Sequence, residues 1–436
     1  MIKKVILFVL LGSFALGHSQ PKKTIKCAES FVKGLENRSY NKNYNQFADT
    51  LKSIMYFNDF MSLMERIVLS KGEIVRKQVI LKEKVKGVSS IFYKLNYEHK
   101  DSLIIKLYYN EEDKLIGMRF SPANKQVDYM EPTKYGNTAY LERELSLNTP
   151  HGKLKSFLTL PDKIGSSPVV ILVHGSGPND MDESVGNNKM FYDLTLGLID
   201  SGIGTFRYNK RTLTYGSLFS DTATLYSEVI EDVLEAVRLL KKQEGVDTTR
   251  IYVLGHSLGA MSAPAIAMLQ NDLAGIIMMG SPCRGLWKSV PMQLEYLKEH
   301  TSQEITDKNI AEAKKVSSII ELGNYSSSTP KEELFGLSSY YWDALKSNSP
   351  SETAFELALP IYVLQGERDY QVNMKDYLCL KDKLSTKKNI KMEVIQGLNH
   401  LFVKGTEKSV PAEYENPGNV DLVVIQKIAR WIKEGI

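Results

Sequence analysis

The sequence predicts an α/β protein with a mostly parallel, doubly wound sheet, preceded by a small α+β domain. Three observations carry that prediction. Short solid apolar runs recur at Val169–Val173, Ile203–Phe206, Ile251–Leu254, Ala274–Met279 and Ile361–Leu364. Runs that are apolar at every position fit strands covered on both faces. Helical stripes alternate with them, as in 225–242, where Val229, Val233, Ala236, Val237 and Leu240 share one face. The first third of the chain has another grammar, helical spacing followed by strict alternation.

Residues 1–20 read as an export signal. Lys3 and Lys4 precede an apolar run, Val5–Leu16, interrupted only by Gly12 and Ser13, and Gly17 and Ser19 supply small residues for cleavage. The run is short for a bilayer span. The expectation is a secreted or periplasmic protein with no stable membrane insertion after the signal is removed.

Residues 24–70 look helical: Cys27, Phe31 and Leu35 share a face, and a second apolar stretch runs from Met55 to Val68. Residues 73–120 switch to period two. Ile91, Tyr93, Leu95 and Tyr97 fall on one face, as do Leu103, Ile105, Leu107 and Tyr109, with polar turns at 98–101 and 110–113. That is a meander with one buried face. Residues 21–130 thus form an α+β module of unassigned role, and the polar, Pro-containing passage 121–137 reads as a linker. The catalytic domain, 131–436, opens with alternating runs at Leu141–Leu147 and Lys153–Leu160, consistent with an antiparallel hairpin.

Composition narrows the function classes. With 43% hydrophobic and 24% charged residues, the 436-residue chain is neither disordered, fibrous nor a coiled-coil rod. The net charge of +4 divides into +2 in residues 1–20, +7 in 21–130 and −5 in 131–436. The acidic larger part is a poor clamp for nucleic acid. The basic part lacks the clustered Arg and aromatic residues of a binding stripe. Three cysteines, Cys27, Cys283 and Cys379, make neither a disulfide framework nor a set at metal-ligand spacing. The fold is expected to stand on its core alone, without a metal.

Gly255-His256-Ser257-Leu258-Gly259 follows the strand at 251–254 and opens a helical segment. This is the nucleophile-elbow pattern in its proper setting: a turn so tight that the backbone is strained, flanked by glycines that avoid Cβ clashes. It presents the Ser257 hydroxyl beside a helix N-terminus, whose amides favour developing negative charge. A second signal, Val173-His174-Gly175-Ser176-Gly177-Pro178, ends the strand at 169–173. In this architecture the oxyanion hole takes one amide from the residue after the nucleophile and one from this loop. That assigns Leu258 N–H and Ser176 N–H, with Gly177 as the alternative on the second side.

The order nucleophile, acid, histidine leaves His300 and His400 as bases. His300 lies in a charged helical stretch and reads as a surface residue. His400 follows the last strand, Lys391–Ile395, in a turn, and is the expected base. The acid should follow the strand at 361–364; Asp369 is the choice, ahead of Glu367. It would hold the imidazole in the right tautomer and stabilise its cation.

These residues resemble the α/β-hydrolase superfamily over about 138–436, and within it the secreted bacterial esterases and the serine-aminopeptidase and prolyl-oligopeptidase branch. The stretches Gly175-Ser176-Gly177-Pro178-Asn179-Asp180 and Gly204-Thr205-Phe206-Arg207-Tyr208-Asn209-Lys210-Arg211 are typical of that group. The resemblance implies the same triad, Ser257, Asp369 and His400, and hydrolysis of carboxylic esters through an acyl-enzyme; a serine peptidase of the same fold is the alternative. The substrate is a small-molecule ester, and no cofactor is called for. Pro264 should kink the helix after the elbow.

Residues 284–350 separate two core strands and read as a helical cap carrying Trp287, Tyr340, Tyr341 and Trp342. Trp287 is a candidate for the substrate pocket, the alternative being packing of the cap. Asp180, Asp182 and Glu183 could bind a substrate ammonium, and Arg207, Lys210 and Arg211 a substrate carboxylate. The alternatives are a solvated loop for the acidic run and pairing of the two clusters with each other. His174 and His256 are expected to orient loops.

Overall fold

A computed structural model describes residues 22–435 except 86–87, 99–101, 123–128, 163–164, 216–222 and 302–304. The expected export signal lies outside the described residues. The chain divides into two compact units, one ending at residue 126 and one beginning at residue 127.

In the first unit, helices Lys22–Glu36 and Phe57–Lys71 accompany an antiparallel sheet of four strands in sequential order: β1 (Ile74–Val85), β2 (Val88–Tyr97), β3 (Ser102–Tyr109) and β4 (Leu115–Pro122). The alternation read from the sequence is the buried face. Ile91, Tyr93, Leu95 and Tyr97 of β2, and Leu103, Ile105, Leu107 and Tyr109 of β3, join Phe31, Phe47 and Phe60 in one core.

The main sheet of the second unit has eight strands: β5 (Tyr140–Thr149), β6 (Gly152–Pro161), β7 (Ser167–Val173), β8 (Gly204–Tyr208), β9 (Val246–His256), β10 (Gly275–Met279), β11 (Ile361–Gly366) and β12 (Ile390–Ile395). Their order is β12-β11-β10-β9-β7-β8-β6-β5. From β8 to β12 every pairing is parallel, while β5–β6 and β6–β8 are antiparallel. Solid runs arise because both faces are covered. Val169, Ile171 and Val173 of β7 enter one apolar cluster, and Val170 and Leu172 enter the other. Ile276 and Met278 divide from Ile277 and Met279 of β10 in the same way.

Two sequence expectations need amendment. Cys283 and Cys379 form a disulfide across a sequence separation of 96, leaving Cys27 free. Only the fold brings the loop after β10 against helix Met374–Leu384. Of the passage read as a linker, residues 121–122 end β4 and residues 129–137 belong to the second unit: the Tyr135 hydroxyl donates to the Val420 carbonyl (2.9 Å), and the amides of Gly136 and of Thr138 just beyond the passage donate to the Asp200 carboxylate (2.6 and 2.9 Å). Pro264 lies within helix Leu258–Leu269.

Residues 284–350 form helices Ser289–His300, Asp307–Leu322 and Ser339–Ser347, with Pro350 opening a fourth, Pro350–Glu356. Tyr341, Trp342 and Leu345 are buried in the core, so these two aromatics pack the insertion down, whereas Tyr340 is exposed. Among the described residues no helix is long and apolar enough to cross a membrane.

Candidate active site

The nucleophile position is built by backbone geometry. Ser257 joins β9 to helix Leu258–Leu269 with φ +53° and ψ −114°. A non-glycine residue with positive φ is strained, and such strain gathers at functional sites. The flanking glycines are required by close approach. A Cβ on Gly255 would lie 2.2 Å from the Gly259 carbonyl oxygen, and one on Gly259 would lie 2.1 Å from that of Val173. The Ser257 amide is anchored on the Met279 carbonyl of β10 (2.9 Å). Ser257 is half-buried, while Asp369 and His400 are each 4% exposed.

Asp369 and His400 come together from the loops after β11 and β12. Asp369 Oδ2 faces His400 Nδ1 at 2.6 Å, and its Oδ1 accepts the amides of Gln371 and Val372 (2.8 and 2.9 Å). The carboxylate is held from three sides, so it fixes the ring rather than swinging with it. With Nδ1 donating to Asp369, the neutral ring carries its lone pair on Nε2, the tautomer a general base needs. Gly280, just past β10 at φ +58°, makes room: a Cβ there would lie 3.3 Å from the His400 ring. His300 is exposed and stacks on Tyr296, as a surface histidine would.

The oxyanion candidates converge on the same place. A Cβ on Gly175 would lie 3.1 Å from Ser257 Cβ, so the loop after β7 abuts the serine. Leu258 is the first residue of its helix, where an amide has no intrahelical partner. The Ser176 amide donates to no described residue.

Behind these groups lies a buried charged layer. Glu183, 2% exposed, accepts the Gly175 amide on Oε1 (2.6 Å), and the same oxygen lies 3.1 Å from His256 Nδ1. His256 Nε2 faces the His400 carbonyl oxygen at 2.9 Å. Both ring nitrogens of His256 thus lie near acceptor oxygens, the contact at Nδ1 falling short of hydrogen-bond geometry. Burial alone would lower the His256 value, but the Glu183 charge beside it raises it above the ordinary range. Burial alone would raise Glu183, but the His256 charge holds it below the ordinary carboxylate range. His174 packs between Phe191 and Tyr208, and burial pushes it down to about 4, so it is neutral.

Two expected substrate contacts are occupied elsewhere. Arg207, 3% exposed, pairs with Asp182 and with Glu142 (2.7 Å) and lies over the Tyr192 ring, so it has no guanidinium edge for a substrate. Asp180 accepts the amides of Asp182 and Ser184 on Oδ1 (3.2 and 2.9 Å), forming the turn that follows the oxyanion loop. Glu183 and Asp182 are likewise committed internally. Of the expected pairing between the two clusters the fold realises Arg207 with Asp182, whereas Lys210 pairs with Glu228, Arg211 with Glu231 and Asp232, and Glu183 with His256. Trp287 stacks edge-on against Trp342 and lines a cavity of about 330 Å³ with Met261, Cys283, Leu286 and Leu345. Ser257, Asp369 and His400 do not line that cavity. Among the described residues, no cluster of His, Cys, Asp and Glu could hold a metal ion.

A strained serine between two obligatory glycines, at the C-terminal edge of a parallel sheet and followed by an aspartate–histidine pair in chain order, defines the α/β-hydrolase class. Comparison with known proteins agrees. The sequence profile of the prolyl oligopeptidase family matches residues 198–416, and the chain belongs to that family. It is 38% identical to Esterase EstD of Thermotoga maritima over 323 residues, which cover 74% of each protein. Among solved structures it is similar to Est1E from Butyrivibrio proteoclasticus (17% identity, TM-score 0.42, covering 67% of this chain and 96% of that one). It is also similar to a Pyrococcus furiosus esterase (16% identity, TM-score 0.44, covering 70% and 96%).

Proposed function

We propose that the protein is a serine hydrolase of carboxylic esters, with Ser257 as nucleophile, His400 as base and Asp369 as its orienting acid. The observation that carries the reading is the strained Ser257 turn beside the His400–Asp369 pair. His400 takes the proton of Ser257 as the hydroxyl attacks the ester carbonyl. The amides of Leu258 and Ser176 receive the oxyanion. His400 then protonates the leaving alcohol, and water releases the acyl group by the same steps in reverse order of roles.

Ester rather than peptide substrates are favoured by the relative named an esterase and by the internal use of Asp180, Asp182 and Glu183, which leaves no obvious partner for a peptide ammonium. Family membership supports a peptidase as the second reading. Export to an oxidising compartment belongs to the proposal: the apolar segment behind Lys3 and Lys4 supports it, and so does the Cys283–Cys379 disulfide, since such bonds persist outside reducing cytosol. So does the absence of a nucleic-acid partner, on the acidic charge of residues 131–436.

The test pairs nitrophenyl esters with aminoacyl-naphthylamides, using wild type and Ser257→Ala. The reading expects ester turnover, labelling by a fluorophosphonate probe, and loss of both in the variant. Naphthylamide turnover exceeding ester turnover would transfer the assignment to peptidase; turnover by Ser257→Ala at the wild-type rate would end it.

A further inference from the structure

The residue before the proposed oxyanion donor is gripped on both sides by buried charges. The Gly175 amide donates to Glu183 Oε1 (2.6 Å). The Gly175 carbonyl oxygen accepts from Lys210 Nζ at 2.7 Å. Lys210 is 2% exposed, and its ammonium also pairs with Glu228 Oε1 at 2.6 Å. The other Glu228 oxygen accepts the hydroxyl of Tyr341 at 2.5 Å, a fully interior residue of the 284–350 insertion. The backbone of Lys210 is fixed as well, its amide donating to the Asn179 carbonyl (3.1 Å) across the same loop.

The geometry of one peptide plane gives this arrangement its meaning. The Gly175 carbonyl and the Ser176 N–H belong to the same peptide unit, which is planar and trans, so they point in opposite directions. Whatever fixes the carbonyl fixes the direction of the amide. A buried lysine is costly to hold, and here its hydrogen bonds go to one carboxylate and to this one carbonyl. Loop stability alone does not require a charge at that carbonyl, since a neutral donor, Asn179 Nδ2, already reaches it at 3.2 Å. A charged donor there does something else as well: it polarises the peptide and holds the Ser176 N–H aimed at the place where negative charge develops.

We propose that Lys210 is a positioning residue for the oxyanion hole, locking the Gly175–Ser176 peptide so that Ser176 N–H faces the carbonyl under attack, with Glu228 and Tyr341 holding Lys210 in place. The inference rests on the serine-hydrolase reading above and deepens it. It also gives the insertion a route to the chemistry, through Tyr341, Glu228, Lys210 and the Gly175 carbonyl.

The experiment uses the full chain and five variants: Ser257→Ala, Lys210→Met, Lys210→Arg, Lys210→Met with Glu228→Gln, and Tyr341→Phe. Each is assayed for kcat and KM on a nitrophenyl ester and for binding of a trifluoromethyl ketone, whose addition to the serine creates an oxyanion. Melting temperature reports folding. Lys210→Met is expected to lower kcat about 10- to 100-fold, somewhat less than outright loss of an oxyanion donor, with KM within about twofold. Ketone affinity should fall in proportion to kcat/KM. Lys210→Arg should recover part of the loss, and Tyr341→Phe should show a smaller loss of the same kind.

If Lys210→Met does not fold because Glu228 is left unpaired, the double variant, which removes both charges, decides; if that also fails to fold, Tyr341→Phe decides. A folded variant with wild-type kcat and ketone affinity, or a loss confined to KM, overturns the proposal. Failure of the underlying reading shows differently, as full activity in Ser257→Ala.

Discussion

The imidazole of His256 faces the backbone carbonyl of His400 at 2.9 Å, with the two rings 4.5 Å apart. The residue immediately before the proposed nucleophile therefore holds the turn that carries the proposed base. Through Glu183 the same imidazole reaches Gly175, so one buried ion pair ties together the turns bearing nucleophile, base and oxyanion donor.

Asp369→Asn tests the orienting role. An amide can offer its NH₂ where His400 needs an acceptor, which favours the wrong tautomer. Ester kcat should fall by roughly four powers of ten, with the melting temperature little changed. Stopped-flow or steady-state ester assays check it; a loss below tenfold would show that His400 does not depend on that carboxylate.

Glu183→Gln should destabilise the protein in a pH-dependent way. The folded Glu183 value is depressed, so its contribution is complete above the unfolded value of about 4.3 and is lost as pH falls through the lower folded value. The folded His256 value is raised, so its contribution is complete below about 6.5 and is lost as pH rises through the higher folded value. The gap in melting temperature between wild type and variant should be widest near pH 5 to 6 and narrow on both sides. Near its widest the gap should correspond to about 3–5 kcal/mol, the usual consequence of breaking a buried pair by removing one partner. Thermal melts across pH check the shape of that curve.

Gly259→Ala tests the close packing of the elbow. The added methyl would meet the carbonyl oxygens of Val173 and His174 at 2.1 and 2.7 Å, both backbone atoms that cannot turn aside. The variant should lose more than about 3 kcal/mol, beyond ordinary overpacking, and is expected to be largely insoluble. Denaturant titration of any soluble fraction measures it.

Removing the disulfide with Cys283→Ala and Cys379→Ala together should lower stability by about 2–5 kcal/mol. Chemical denaturation of the double variant, and of wild type with and without reductant, checks the figure. Wild type under reductant should resemble the variant.

The sequence made the sheet legible because its strands are covered on both faces, and Val169–Val173 or Ile276–Met279 leave no other reading. It made Ser257, Asp369 and His400 legible because chain order and turn chemistry are local signals. The charged layer was legible only in part. Pairing of acids with bases could be anticipated, and Arg207 with Asp182 bears it out, but the actual partners of Glu183 and Lys210, namely His256, Gly175 and Glu228, are set by how the fold brings separate loops together. The Gly-rich turns around them were the available hint, since a Cβ at Gly175 would press on Glu183 Oε1 at 3.0 Å and on Ser257 Cβ at 3.1 Å. The disulfide escaped for the same reason, its partners lying 96 residues apart with an odd cysteine to confuse the pairing.

Because Cys283 and Cys379 bracket the whole of residues 284–350, a protease that cuts within that insertion does not release either half of the molecule. The nicked protein should migrate as one species on a denaturing gel and separate into two fragments only when a thiol is added to the sample. The strands and turns that carry Ser257, Asp369 and His400 would stay on one covalent body through such a cut, so the insertion can be trimmed or opened while the two parts of the triad remain tethered.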